Sequence, residues 1–181
     1  MALALPNPQK PHQAAAASRA MRAYQRWQQG QAQANREEWP AAALAFEEAF
    51  RLHADVAFGL AAAHAFIKAG RSDLALQRAR SVRAAQPTAT LACTLESHAL
   101  LQLGRAEEAV DCLRSLPAGA VRDHAYLTSV AVALQRCRRD QEAVGAFMEL
   151  LALKIDDPLA HFRLGMSFKD LGMKAQAAEC V

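Results

Sequence analysis

The sequence predicts an all-α fold, an array of antiparallel helical hairpins packed one on the next. Three observations carry that prediction. From Gln13 onward apolar residues recur at three- and four-residue spacing, and no alternating β-branched segment interrupts them. Punctuation recurs at one fixed interval: Gly70, Gly104, Arg138 and Gly172 are evenly spaced, and an alanine follows each by five, at Ala75, Ala109, Ala143 and Ala177. Apolar residues make up 52% of the chain with aromatics only 6%, and alanine dominates. Small side chains let helices approach closely, which suits stacked hairpins better than one large core.

The elements follow in chain order. Pro6, Pro8 and Pro11 make residues 1–12 an extended or disordered tail. Residues 1–36 hold Lys10, Arg19, Arg22, Arg26 and Arg36 and no acid. That pattern reads first as a Gln/Ala/Arg-rich helix behind a tail, with a transit segment as the alternative. A divergent hairpin covers about 22–55. Glu38-Trp39-Pro40-Ala41-Ala42, then Phe46 and Ala49, look like its turn and second helix, and its first helix (about 13–35) needs one residue of slippage to match. Regular hairpins follow at 56–89, 90–123 and 124–157, then a truncated one at 158–181. In each, a first helix ends at the glycine, which supplies the left-handed cap a tight αα turn wants. The alanine five residues on lies where the second helix crosses the first. Pro87 and Pro158 mark the outer loops, and Pro117 breaks the 90–123 hairpin early.

At this point the chain resembles the tetratricopeptide repeat family, a helix–turn–helix of about 34 residues with the pattern Trp-x2-Leu-Gly-x2-Tyr, then Ala-x3-Phe, then Pro. The best match is Leu164-Gly165-x2-Phe168 with Gly172 and Ala177. Val130-Ala131-x2-Leu134 leads to Ala143-x3-Phe147, and Ala62-Ala63-x2-Phe66 leads to Ala75, Ala79 and Pro87. One departure is Glu96, which holds the position of a core Leu; it is either half-exposed by a shifted helix or paired with a base. The resemblance implies a right-handed superhelical α-solenoid whose first helices line a concave groove for an extended peptide or a partner helix.

On that scheme the ninth position of successive first helices is His64, His98, Val132 and Met166. Neighbouring groove positions are Leu60, Lys68, Thr94, Leu101, Gln102, Thr128, Gln135, Arg136, Phe162, Arg163 and Lys169. His64 and His98 read first as semi-exposed polar groove residues, with a paired ligand contact or pH-sensitive site as the sharper alternative. The Lys and Asn of chaperone-tail clamps are absent: the fifth positions hold Leu60, Thr94, Thr128 and Phe162. The Asn ladder of sugar-transferring enzymes is absent too, the sixth positions being Ala61, Leu95, Ser129 and Arg163. The groove is apolar with scattered bases, which suits an amphipathic segment carrying some acid.

Other classes find little support. Net charge is +3, which does not indicate nucleic acid. No secretory signal or membrane-length apolar run is visible, so a cytoplasmic address without membrane association is the default. Cys93, Cys112, Cys137 and Cys180 fit no metal spacing and read as small buried hydrophobes, a disulfide being the minor alternative. No phosphate loop, nucleophile elbow, metal-ligand cluster or cofactor motif stands in the chain, so no catalytic residue is assigned. The expected function is a scaffold that binds a protein or peptide. The alternatives are the accessory arm of a glycosyltransferase or methyltransferase and a small secretion-system chaperone. The final residues offer no polar cap. The chain is therefore expected to be part of a longer protein, or to self-associate through its uncapped last helix.

Overall fold

The computed structural model describes residues 9–153 and 156–180. Among the described residues the chain is helical throughout, without strands. It divides into two units, residues 1–70 and 71–181.

The first unit holds α1 (Gln9–Ala34), α2 (Trp39–Leu52) and α3 (Val56–Lys68), with α2 packed against both others. Of the expected tail, residues 1–8 lie outside the described residues, while residues 9–12 form the first turn of α1. Pro11 is tolerated there because the first N–H groups of a helix have no intrahelical acceptor. Gly30 marks the closest approach of α1 to α2: a Cβ at this position would lie 2.7 Å from the Phe46 ring. The α1–α2 turn is closed by Glu37, a non-glycine residue at φ 58°, with Glu37 N–H donating to Ala34 O and Glu38 N–H to Gln33 O. Glu37 stands one position closer to Gly70 than the regular interval would put it, which is the slippage in the divergent hairpin. Asp55 starts α3 by accepting the Ala57 N–H at 2.7 Å.

The second unit holds α4 (Ser72–Ala85), α5 (Thr90–Gln102), α6 (Ala106–Arg114), α7 (His124–Arg136), α8 (Asp140–Leu153), α9 (Pro158–Asp170) and α10 (Lys174–Glu179). Each packs on the next, and α5 also touches α7. The turns after α5, α7 and α9 share one geometry. Gly104 (φ 74°), Arg138 (φ 59°) and Gly172 (φ 78°) are left-handed, and the following N–H groups of Arg105, Arg139 and Met173 reach back to Leu100, Leu134 and Phe168 carbonyls. Arg138 carries the strain that glycine avoids. Ala109 and Ala143 are fully buried at the α5–α6 and α7–α8 crossings, with Phe147, Leu100, Leu113 and Leu150 as the large core side chains.

Glu96 is buried, only 1% exposed, and clamped by two bases of α4. Arg80 Nε donates to Oε1 at 2.8 Å. Arg83 Nε sits 2.9 Å from Oε2, off the axis of a hydrogen bond, so this second contact is ionic. The paired reading of Glu96 is the one found, and the helix is not shifted to expose it.

Candidate functional site

In the second unit, α5 and α7 flank a concavity of about 270 Å³ lined by Thr94, Ser97, His98 and Leu101 from one helix and Ala125, Thr128, Ser129 and Val132 from the other. Five of these were expected at groove positions: Thr94, His98, Leu101, Thr128 and Val132. Ser97 and Ala125 were not, and Ser129 was read only as a sixth-position residue without the Asn of a ladder; all three line the concavity beside the expected positions. The volume is below that of typical small-molecule pockets. It suits one or two side chains of a bound segment.

The chemistry of the wall follows from local backbone bonding. Thr128 Oγ1 donates to His124 O at 2.8 Å and Thr94 Oγ1 to Leu91 O at 3.0 Å, so both threonines commit their hydroxyl protons to their own helices. Ser97 Oγ is buried with no hydrogen-bond partner.

Farther along the same unit, three expected groove residues, Gln102, Gln135 and Arg163, are already engaged. Gln102 Oε1 accepts from Ser72 Oγ at 2.6 Å. Arg163 Nη1 donates to Gln135 Oε1 at 3.2 Å, while Gln135 Nε2 donates to Arg163 O and Ser167 Oγ, which ties α9 to α7. Arg163 is therefore a half-buried strut as well as a base. Arg136 and Lys169 are exposed, and Phe162 and Met166 are exposed apolar side chains on α9.

Charge is segregated between helices. The only acids of α5, α7 and α9 are Glu96, turned into the core, and Asp170, whose Oδ2 lies 3.2 Å from Arg138 Nη1. Glu107 and Glu108 of α6 and Glu142 of α8 instead form ion pairs: Arg105–Glu108 at 2.6 Å, Arg139–Glu107 at 3.6 Å, Arg114–Glu142 at 2.6 Å and Arg139–Glu142 at 2.7 Å. These hydrogen-bonded pairs hold the Glu108 and Glu142 carboxyls below their ordinary range.

The first unit has its own concavity, about 390 Å³, lined by Gln31, Ala34, Asn35, Trp39, Phe46, Ala61 and His64. The His64 ring meets the Trp39 ring in a T-shaped contact, centroids 5.8 Å apart, and Lys68 Nζ stands 6.0 Å from the Trp39 centroid. Partial desolvation by its neighbours, and then the Lys68 charge, hold the His64 imidazole below the ordinary histidine range although the residue is exposed. Leu60 is half-buried on the same helix. Trp39 is the residue that sequence reasoning placed in a turn and missed as a pocket wall. His64 and His98 fall in different units, each beside its own concavity.

Among the described residues no three His, Cys, Asp or Glu side chains come together as a metal site, and no helix is long and apolar enough to cross a membrane. No family model matches the chain, and no curated protein matches it. Solved structures do. A MamA fragment from Desulfovibrio magneticus RS-1 superposes with a TM-score of 0.76 at 18% identity, over 88% of this chain and 90% of that one. TTC0263, a thermophilic TPR protein of Thermus thermophilus, superposes with a TM-score of 0.71 at 18% identity, over 87% of each chain. The fold is thus that of the tetratricopeptide repeat proteins, an all-α solenoid.

Proposed function

We propose that the protein is a binding scaffold, and that the face presented by α5, α7 and α9 receives an amphipathic, acid-bearing segment of a protein partner. The observation that carries this reading is the segregation of charge around an apolar concavity. Leu101 and Val132, beside Thr94 and Thr128 whose hydroxyl protons are already committed, accept apolar side chains. Arg136, Arg163 and Lys169 lie along the same set of helices with no unpaired carboxylate among them. Apolar anchoring gives affinity there, and the bases give orientation and on-rate. Leu60, His64 and Lys68 would contribute the corresponding contacts in the first unit, around Trp39.

The test uses a peptide display library selected on the whole chain. Enriched peptides should be amphipathic and acidic, and their affinity should fall as salt rises. Val132→Glu and Phe162→Glu should each weaken binding at least about tenfold, the loss of a buried apolar anchor, with far-UV circular dichroism unchanged. Selected peptides that are basic, or that bind both variants as tightly as the parent, would refute the assignment.

A further inference from the structure

Cys93 on α5 and Cys112 on α6 face each other inside one hairpin. Their sulfurs are 3.6 Å apart, and Cys93 Sγ lies 3.3 Å from Cys112 O while Cys112 Sγ lies 3.8 Å from Cys93 O. Both are free thiols, the first fully buried and the second 6% exposed. A disulfide needs about 2.05 Å between sulfurs, so closure asks for a movement of about 1.5 Å, within reach of side-chain rotation and a small shift of α6. That shift is available locally. The helix α6 has nine residues and is followed by Pro117 and a non-helical stretch to Asp123, so its C-terminal end is not continued by further helix.

The two thiols are chemically unequal. The hydrogen bond from Cys112, and then the charge of Arg83, lower Cys93, whereas the same contact and burial raise Cys112. Arg83 is held in place on one side by Glu96 and on the other by Ser115, whose Oγ accepts from Nη1 at 2.8 Å. Ser115 in turn donates to Cys112 O at 2.6 Å. Arg83 of α4 and its partner Glu96 act with opposite sign on both thiols, so the inequality comes chiefly from the contact between the two sulfurs, which already touch.

We propose that Cys93 and Cys112 form a redox modification site, a dithiol that a hydroperoxide closes into a disulfide within the α5–α6 hairpin. The Cys93 thiol gives up its proton, the thiolate sulfur forms an S–O bond to one oxygen of hydrogen peroxide as the O–O bond breaks, and the departing hydroxide takes up the released proton to leave as water. Cys93 is then a sulfenic acid. The Cys112 sulfur displaces its hydroxyl, forming the S–S bond, and the hydroxyl leaves with the Cys112 proton as a second water. The two sulfurs give up two electrons and the peroxide takes them. Cys93 immediately precedes Thr94, so closure acts on the wall of the α5–α7 concavity. That consequence rests on the groove reading, and the disulfide itself does not.

The test treats the whole native chain with hydrogen peroxide, blocks remaining thiols with an alkylating reagent, and maps tryptic peptides by mass spectrometry. Cys93 and Cys112 fall on separate peptides, 84–105 and 106–114, so the bond appears as one linked species. The expected result is that this pair is the dominant link while Cys137 and Cys180, which are half-buried on other segments, are recovered alkylated. In Cys112→Ser the linked species should vanish and Cys93 should accumulate as a dimedone-trapped sulfenic acid. Recovery of Cys93 and Cys112 as free thiols, or links to Cys137 or Cys180 in equal yield, would overturn the proposal. If the disulfide forms but peptide affinity is the same in oxidised and reduced protein, the modification site stands and its action on the groove is refuted.

Discussion

Replacing Glu96 tests whether the buried ion pair or plain packing holds α5 onto α4. In Glu96→Gln the shape survives and the charge is lost. A buried salt bridge broken from one side costs about 3–5 kcal/mol when the remaining charge is stranded. Here the stranded charges are Arg80 and Arg83, whose side chains are 46% and 31% exposed, so both guanidiniums keep part of their hydration. The amide oxygen also retains one acceptor for Arg80. The loss should therefore be about 2 kcal/mol, or roughly 4–8 °C in Tm for a chain of this size. Glu96→Leu restores the residue type that the repeat pattern wants. It leaves no polar atom buried at this position, frees both arginines to turn to water, and should change stability by less than about 1 kcal/mol. Urea titration followed by far-UV circular dichroism measures both. A Gln variant as stable as the parent would mean that the carboxylate charge contributes nothing beyond the hydrogen bond an amide can keep. A Leu variant less stable than the Gln variant would mean that Arg80 and Arg83 need a polar acceptor at this position and that an apolar side chain does not replace it.

Two further outcomes follow from the turns and from the first unit. Gly104→Ala should lose about 1 kcal/mol from left-handed strain alone, because a Cβ there meets nothing within 4 Å, while Arg138→Gly at the equivalent turn should gain up to about 1 kcal/mol; equal stability of Gly104→Ala and parent in urea titration would contradict the shared turn geometry. His64 should titrate by NMR below about 6.5, the unfolded value, since burial and Lys68 both disfavour its charged form. The unfolded chain then binds the proton first, so stability present at neutral pH declines as pH falls below the unfolded value and levels off under the folded one. Lys68→Ala should move the midpoint part of the way up, and an unmoved midpoint would remove Lys68 from the account.

The hairpins were legible in the sequence because their determinants are local. A left-handed cap, a small residue at the helix crossing and an apolar stripe of helical period are all properties of neighbours along the chain, so their recurrence at a fixed interval could be read directly. Even the slip in the first hairpin was visible as a misfit, although its cause, closure at Glu37, was not. Pro11 was read too strictly, since a proline ends a helix only where an acceptor for its missing N–H would have stood.

What tertiary structure decided is everything that depends on how one helix is rotated against the next. Glu96 could be assigned to a core position from its register, but the bases that neutralise it belong to the preceding helix, and only the packing of α5 on α4 brings Arg80 to 2.8 Å and Arg83 to 2.9 Å. The contact of Cys93 with Cys112 across the Gly104 turn is of the same kind. So is the engagement of Gln102 by Ser72 and of Arg163 by Gln135, which removes three groove candidates, Gln102, Gln135 and Arg163, from the free groove surface that spacing alone had given them. The period along the chain tells which residues share a face. Which of them remain open to a partner is set by contacts between helices, where a small change in distance makes or breaks a hydrogen bond.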